Sequence, residues 1–100
     1  MDITVQELKQ RQDAGDSNFL LIDVREPYEH EEFSIGGKLM PLGALMNSLY
    51  EFEDNKNDEI VVYCRSGNRS GMAQVLMQAQ GFSNVRNLTG GMLAWRENFG

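Results

Sequence analysis

Apolar positions along this chain fall either in short unbroken runs or at helical spacing, and the two kinds alternate. Thr4-Val5-Gln6-Glu7 has the form of a capping box, with Glu three residues after Thr. Val5 and Leu8 share a face of the helix it opens, which fades at Ala14-Gly15, and Asp13 to Asn18 reads as a polar turn. Phe19 to Val24 is almost continuously apolar, the pattern of a central strand covered on both faces. Asp23 interrupts it near the end. Pro27, after Arg25-Glu26, predicts a helix start. Glu29, His30, Glu31 and Glu32 make that helix short and solvated, and Gly36-Gly37 ends it. Lys38 to Met40 reads as a short strand closed by Pro41. Leu42 to Phe52 is helix-like, with Leu42, Leu45, Met46 and Leu49 on one face, and Glu53 to Glu59 is a polar loop. Ile60 to Tyr63 is a second buried strand. Met72, Val75, Leu76 and Ala79 recur at i, i+3, i+4 and i+7, predicting an amphipathic helix that Gly81 stops. Val85 to Leu88 is a last short strand. Gly90-Gly91 then turns into a helix with Met92, Trp95 and Phe99 on one face.

Strands alternating with helices predict an α/β domain with a mainly parallel sheet. No linker, repeat or low-complexity stretch divides residues 1–100, so one domain is expected. A hydrophobic content of 41% is that of an ordinary globular core. No apolar run is long enough for a transmembrane helix, and the start lacks the basic-then-apolar form of a secretory signal. The net charge of −6 and pI near 4.6 argue against nucleic acid or an anionic membrane as partner. A single cysteine excludes an internal disulfide and a CxxC pair, and suits a reducing, cytoplasmic setting. No exposed apolar stretch stands out, so a monomer is expected.

That cysteine, Cys64, stands where the strand Ile60 to Tyr63 stops and a helix is about to begin. In open α/β sheets ligands bind at the carboxyl ends of strands. A following helix would point its positive pole at the sulfur. Backbone N–H groups from Arg65 through Ser66, Gly67 and Asn68 to Arg69 can form an anion nest, with Gly67 free to turn left-handed. Arg65 and Arg69 flank the thiol, and no acidic residue occurs between Glu59 and Glu97. The loop is therefore expected to be a positive island suited to a small anionic substrate. These features favour activation of Cys64 by the loop itself over a Cys64–His30 pair, with His30 read as a solvated helix residue. Ser66 and Ser70 suit helix capping and chemistry equally. The methionines and Trp95 read as packing.

With these residues in view, the chain resembles the single-domain rhodaneses, a sulfurtransferase family, over essentially its whole length. Leu21-Ile22-Asp23-Val24-Arg25-Glu26-Pro27 is similar to the family's DVRE-P segment, and Gly36 to Pro41 to its GA-x-x-IP stretch. Cys64 to Ser70 forms the CRSGNRS loop, and Gly90 to Trp95 looks like the GG-x-x-x-W ending. The chain departs from the pattern at Ser34, where His is usual, and at Gly37, where Ala is usual. The resemblance implies a sheet of about five parallel strands flanked by helices on both faces. It implies a Cys64 persulfide formed from thiosulfate or a similar anionic donor and passed to cyanide or to a small-molecule or protein thiol. It implies no metal or organic cofactor. Arg65, Ser66, Gly67, Asn68 and Arg69 would bind the donor anion and hold the persulfide. Asp23, Arg25 and Ser70 would shape the site.

Two other readings compete. Cysteine phosphatases and arsenate reductases use a wider Cys-to-Arg spacing than the four residues between Cys64 and Arg69, and no second cysteine exists to resolve a reductase disulfide. A rhodanese-like module that carries sulfur or binds a partner without turnover is the other alternative, since function follows the site and not the fold.

Overall fold

Four parallel strands form one sheet in the order β2-β1-β3-β4, in a computed structural model that describes residues 1–100. The strands are β1 (Leu20–Asp23), β2 (Lys38–Leu39), β3 (Ile60–Tyr63) and β4 (Val85–Asn87). The helices are α1 (Val5–Asp13), α2 (Pro27–Glu32), α3 (Leu45–Ser48), α4 (Asn68–Ala79) and α5 (Gly91–Phe99). The expected sheet had about five strands. The fifth place holds only one residue, Ile3, which bridges in parallel to Leu88 beyond β4. Its N–H donates to the Asn87 carbonyl at 3.0 Å and its carbonyl accepts from the Thr89 N–H at 2.9 Å. Thr4 caps α1, so the chain turns helical before a longer strand can form; the reciprocal half of the expected capping box is absent, the Glu7 carboxylate going to Arg86 instead. Thr4 Oγ1 accepts the Glu7 N–H at 3.1 Å.

Strand parity divides the core. On β3, Ile60 and Val62 face one side, and Cys64 continues that series beyond the strand end. Leu45, Ala73 and Met77 cover that side. Val61 and Tyr63 face the other side, under Val5 and Leu8 of α1 and Met92 and Trp95 of α5. β3 is thus buried on both faces, and β1 is so at Ile22 and Asp23, with Leu20 and Leu21 part-buried. In β1 the odd position Asp23 pairs in register with Tyr63, on the face opposite Cys64. This parity decides what each polar residue at the strand ends can touch.

Two expected helical faces are corrected. Met72 and Val75 of α4 are exposed, at 60% and 63%, and the buried face is Ser70, Ala73 and Met77. Ser70 is tied to the Cys64 sulfur, as described below, and residues three and seven places on share its face. The anchored first turn therefore fixes the helix phase, and the apolar stripe read from the sequence is rotated outward. The predicted helix from Leu42 to Phe52 is broken into a 3-10 turn (Leu42–Ala44), the single turn of α3 and a second 3-10 segment (Leu49–Asn55). Gly43, Asn47 and Ser48 are weak helix formers, and Phe52 lies outside helical geometry at φ −114° and ψ 22°. Leu45 and Leu49 are buried there, whereas Met46 is 48% exposed. In α5, Met92 and Trp95 are buried, while Phe99 is part-exposed and packs edge-on against Trp95 with ring centroids 5.0 Å apart.

The departure at Gly37 has a steric cause. Gly37 sits at φ +88°, and a Cβ there would lie 2.5 Å from the Leu21 carbonyl oxygen. This backbone has no room for the alanine usual at that position. No helix of the structure is long and apolar enough to cross a membrane.

Candidate active site

Cys64 follows the last residue of β3 and is 1% exposed. The chain rises off the strand through Arg65 and Ser66, which are exposed, and turns at Gly67. Gly67 has φ +100°, a left-handed value open to glycine, and no side chain caps the helix after it. The first N–H groups of α4 have no intrahelical partners, and the Cys64 sulfur takes one of them, that of Ser70, together with the N–H of Gly67 before the helix. Sγ accepts from Gly67 N at 3.1 Å and from Ser70 N at 3.3 Å, and lies 3.3 Å from Ser70 Oγ. Burial pushes the Cys64 thiol up, but hydrogen bonds from the Ser70 hydroxyl and from the Ser70, Gly67 and Ser66 amides more than offset it. The thiol therefore lies below its ordinary value. Asn68 opens α4 with its side chain exposed.

Two further contacts hold the loop in place. The N-terminus of α5 reaches it through Met92 N–H donating to the Cys64 carbonyl and Leu93 N–H donating to the Arg65 carbonyl, each at 2.9 Å. That approach depends on Gly91, where a Cβ would lie 2.5 Å from the Cys64 carbonyl oxygen. Asn87, at the end of β4, spans the loop from the other side. Its Nδ2 donates to the Gly67 carbonyl at 3.0 Å, and Ser70 Oγ lies 2.6 Å from its Oδ1. The sequence reading missed Asn87. Its place at a strand end, like that of Cys64, was the available signal.

The structure partners the arginines unequally. Arg69 forms a two-pronged pair with Glu29 of α2, at 2.7 and 2.9 Å. That pairing holds the Glu29 carboxyl down at about 2, with a smaller contribution from the Glu26 N–H. Arg69 does not line the neighbouring cleft, whereas Arg65 does. The cleft encloses about 560 Å³ and is walled by Arg25, Glu29, Glu32, Phe33, Arg65 and Arg96 among others. The expected positive island is thus corrected. Counting acids along the loop's own stretch of sequence overlooked α2, which folds Glu29 and Glu32 onto the same wall.

Asp23 and Arg25 form a buried unit away from the sulfur. Asp23 is fully buried and accepts from Arg25 N at 3.0 Å, Arg25 Nε at 2.9 Å and Arg25 Nη2 at 2.9 Å. Burial pushes the Asp23 carboxyl up, but the bonds from Arg25 and His30 leave it below its usual range. Arg25 Nη2 also donates to the Phe33 carbonyl at 2.6 Å, and Tyr63 Oη donates to the Gly36 carbonyl at 2.8 Å. Together these fix the segment that leaves α2 and forms the cleft wall. His30 is not the solvated residue expected: its Nδ1 lies 2.7 Å from Asp23 Oδ2, and its side chain is only 27% exposed. No three His, Cys, Asp or Glu side chains gather where a metal ion could be held.

Against known proteins, a family model described as a rhodanese-like domain matches residues 4–98. A Bacillus subtilis protein with a sulfur-carrier name is 40% identical over 95 residues, covering 94% of this chain and 50% of that protein. The chain thus spans half the length of that relative. An Allochromatium vinosum sulfurtransferase is 36% identical over 95 residues, covering 94% of this chain and 86% of its own. The human single-domain sulfurtransferase structure superposes with a TM-score of 0.83 at 25% identity, covering 99% of this chain and 97% of that one.

Proposed function

The chain belongs to the rhodanese-like domain family, and from that premise we propose that it is a sulfurtransferase working through a persulfide on Cys64. The carrying observation is the buried sulfur held by the Gly67 and Ser70 amides, a cradle that favours an anion at that point. The Cys64 thiolate attacks the outer sulfur of thiosulfate or a similar donor, the donor's S–S bond breaks, and sulfite leaves with the electron pair. The persulfide is then attacked at its outer sulfur by cyanide or a thiolate, which returns Cys64 as thiolate. No metal or organic cofactor takes part. Arg65, facing the cleft, receives the donor's anionic end. Arg69 adds positive potential from the first turn of α4, tempered by Glu29. Ser66, Gly67 and Asn68 contribute their backbone, while Asp23, Arg25 and Ser70 keep the walls in place. A single free thiol suits a reducing compartment such as the cytoplasm.

Incubation with thiosulfate followed by intact-mass measurement tests this. The expected result is a gain of one sulfur atom that is absent in Cys64→Ser and discharged by cyanide as thiocyanate. No mass gain would reject the proposal. A second reading, a carrier that hands sulfur only to a partner's thiol, draws support from a cleft far larger than an inorganic donor needs. It predicts the mass gain without thiocyanate. Hydrolysis of p-nitrophenyl phosphate that depends on Cys64 would instead point to phosphatase chemistry.

A further inference from the structure

Ser70 carries one hydroxyl proton and faces two acceptors. Its Oγ lies 2.6 Å from Asn87 Oδ1 and 3.3 Å from Cys64 Sγ. The orientation of the Asn87 amide is set by its other end, because the Gly67 carbonyl opposite Nδ2 can only accept. Oδ1 must therefore be the atom at Ser70, and it too can only accept. At 2.6 Å the hydroxyl donates to it, which leaves an Oγ lone pair facing sulfur. That arrangement suits a thiol, whose S–H can donate to Oγ. It opposes an anionic sulfur, which needs the same hydroxyl proton turned towards it.

We propose that Asn87 is a positioning residue for the sulfur chemistry, holding the Ser70 hydroxyl proton while Cys64 is a thiol and yielding it when the sulfur becomes a thiolate or persulfide anion. The thiol proton leaves to solvent, the Ser70 proton stays on Ser70 throughout, and only the hydroxyl torsion changes. Asn87 takes up no proton, so the device is a rotor and not a relay. Its two bonds divide the work. Nδ2, on the Gly67 carbonyl, fixes which way the side-chain amide faces, while Oδ1 competes for the hydroxyl. Gly71 makes room for this, since a Cβ there would come within 3.3 Å of Asn87 Nδ2. The charged groups on the elements packed around the loop are the Arg69–Glu29 pair, the Asp23–Arg25–His30 cluster, Arg65, Arg96 and Asp2. They are the same with and without Ser70, so paired variants cancel them.

The proposal rests on Cys64 being the reacting thiol, but its test reads the thiol itself and needs no sulfur transfer. Thiolate formation is followed through the pH dependence of iodoacetamide alkylation. Asn87→Ala removes the rival acceptor, and is expected to raise the thiolate fraction below the midpoint by about three- to tenfold, the range given by one hydrogen bond of ordinary net strength. In the Ser70→Ala background the same change is expected to do nothing. A purely structural role for Asn87 predicts the opposite sign, because loosening the loop weakens the amide cradle, and predicts it with or without Ser70. Either result, a rise in the midpoint or independence from Ser70, overturns the proposal. In the unsubstituted protein, the Asn87 side-chain carbonyl resonance is expected to move with the Cys64 titration and to stay still in Ser70→Ala. A resonance that ignores the titration overturns it equally, even if Asn87→Ala does not fold.

Discussion

A sulfur atom is a weak hydrogen-bond acceptor until it is charged, so the amides at Cys64 matter most in its anionic states. Gly67 sets their direction. A Cβ on it would meet nothing closer than 3.7 Å, so the cost of Gly67→Ala comes from the backbone and not from a clash. Its φ of +100° should cost about 1–2 kcal/mol of stability in an L-residue. If the loop relaxes to avoid that strain, the Gly67 amide leaves the sulfur and the thiol rises towards its ordinary value. The expected outcome is a lower melting temperature together with slower iodoacetamide alkylation at neutral pH. Unchanged alkylation would assign the cradle to the Ser70 amide alone. Residue identity thus reads through clearly at Cys64 and Gly67, because a unique thiol and a glycine after a strand carry their own chemistry. It does not read through at His30 or Asn87, whose partners are brought to them by other segments.

Elements carry the next level of constraint. The α2–α4 tie consists of Glu29 and Arg69, and Glu29 also accepts the Glu26 N–H at 3.0 Å. Its carboxyl is lowered to about 2 in the folded protein, chiefly by Arg69. A lowered carboxyl contributes stability that is fully present above the ordinary glutamate value of about 4.3 and is lost as the pH falls towards the folded value. The stability gap between the unsubstituted protein and Glu29→Gln should therefore close across that acid window. A gap that stays constant down to pH 2 would show that the pair contributes nothing there. The face of α4 gives a second test. Ala73 is fully buried against the sheet, so Ala73→Leu should overpack it at a cost of about 1–3 kcal/mol. Val75→Glu, on the exposed side, should change stability by no more than about 0.5 kcal/mol. Denaturant unfolding of both variants checks the assignment, and the reverse order would restore the face read from the sequence.

At the scale of the molecule, the two ends of the sheet have different tasks. The carboxyl ends hold the sulfur, the cleft and the Asp23 cluster. At the opposite end Glu59 accepts from Arg11 at 2.6 and 2.9 Å and from Arg86 at 2.6 Å, while Arg11 reaches Asp16 and Arg86 reaches Glu7. Glu59→Gln should cost about 2 kcal/mol, the range of a lost charge-assisted hydrogen bond, and leave Cys64 alkylation unchanged. A change in both would mean that the ends are coupled. The amino-acid sequence by itself determined the α/β class, the two central strands, the single thiol at a strand end and the loop that turns around it. Those features are local: each is set by spacing, by the absence of a second thiol or by a glycine's backbone freedom. Tertiary structure alone decided the phase of α4, the breaking of the Leu42–Phe52 helix and the pairing of Arg69 with Glu29. It also placed Asp23 and Cys64 on opposite faces of the sheet and set Asn87 across the loop. These depend on which surfaces meet, and a helix anchored at Ser70 or a strand held in register answers to its neighbours before its own hydrophobic pattern.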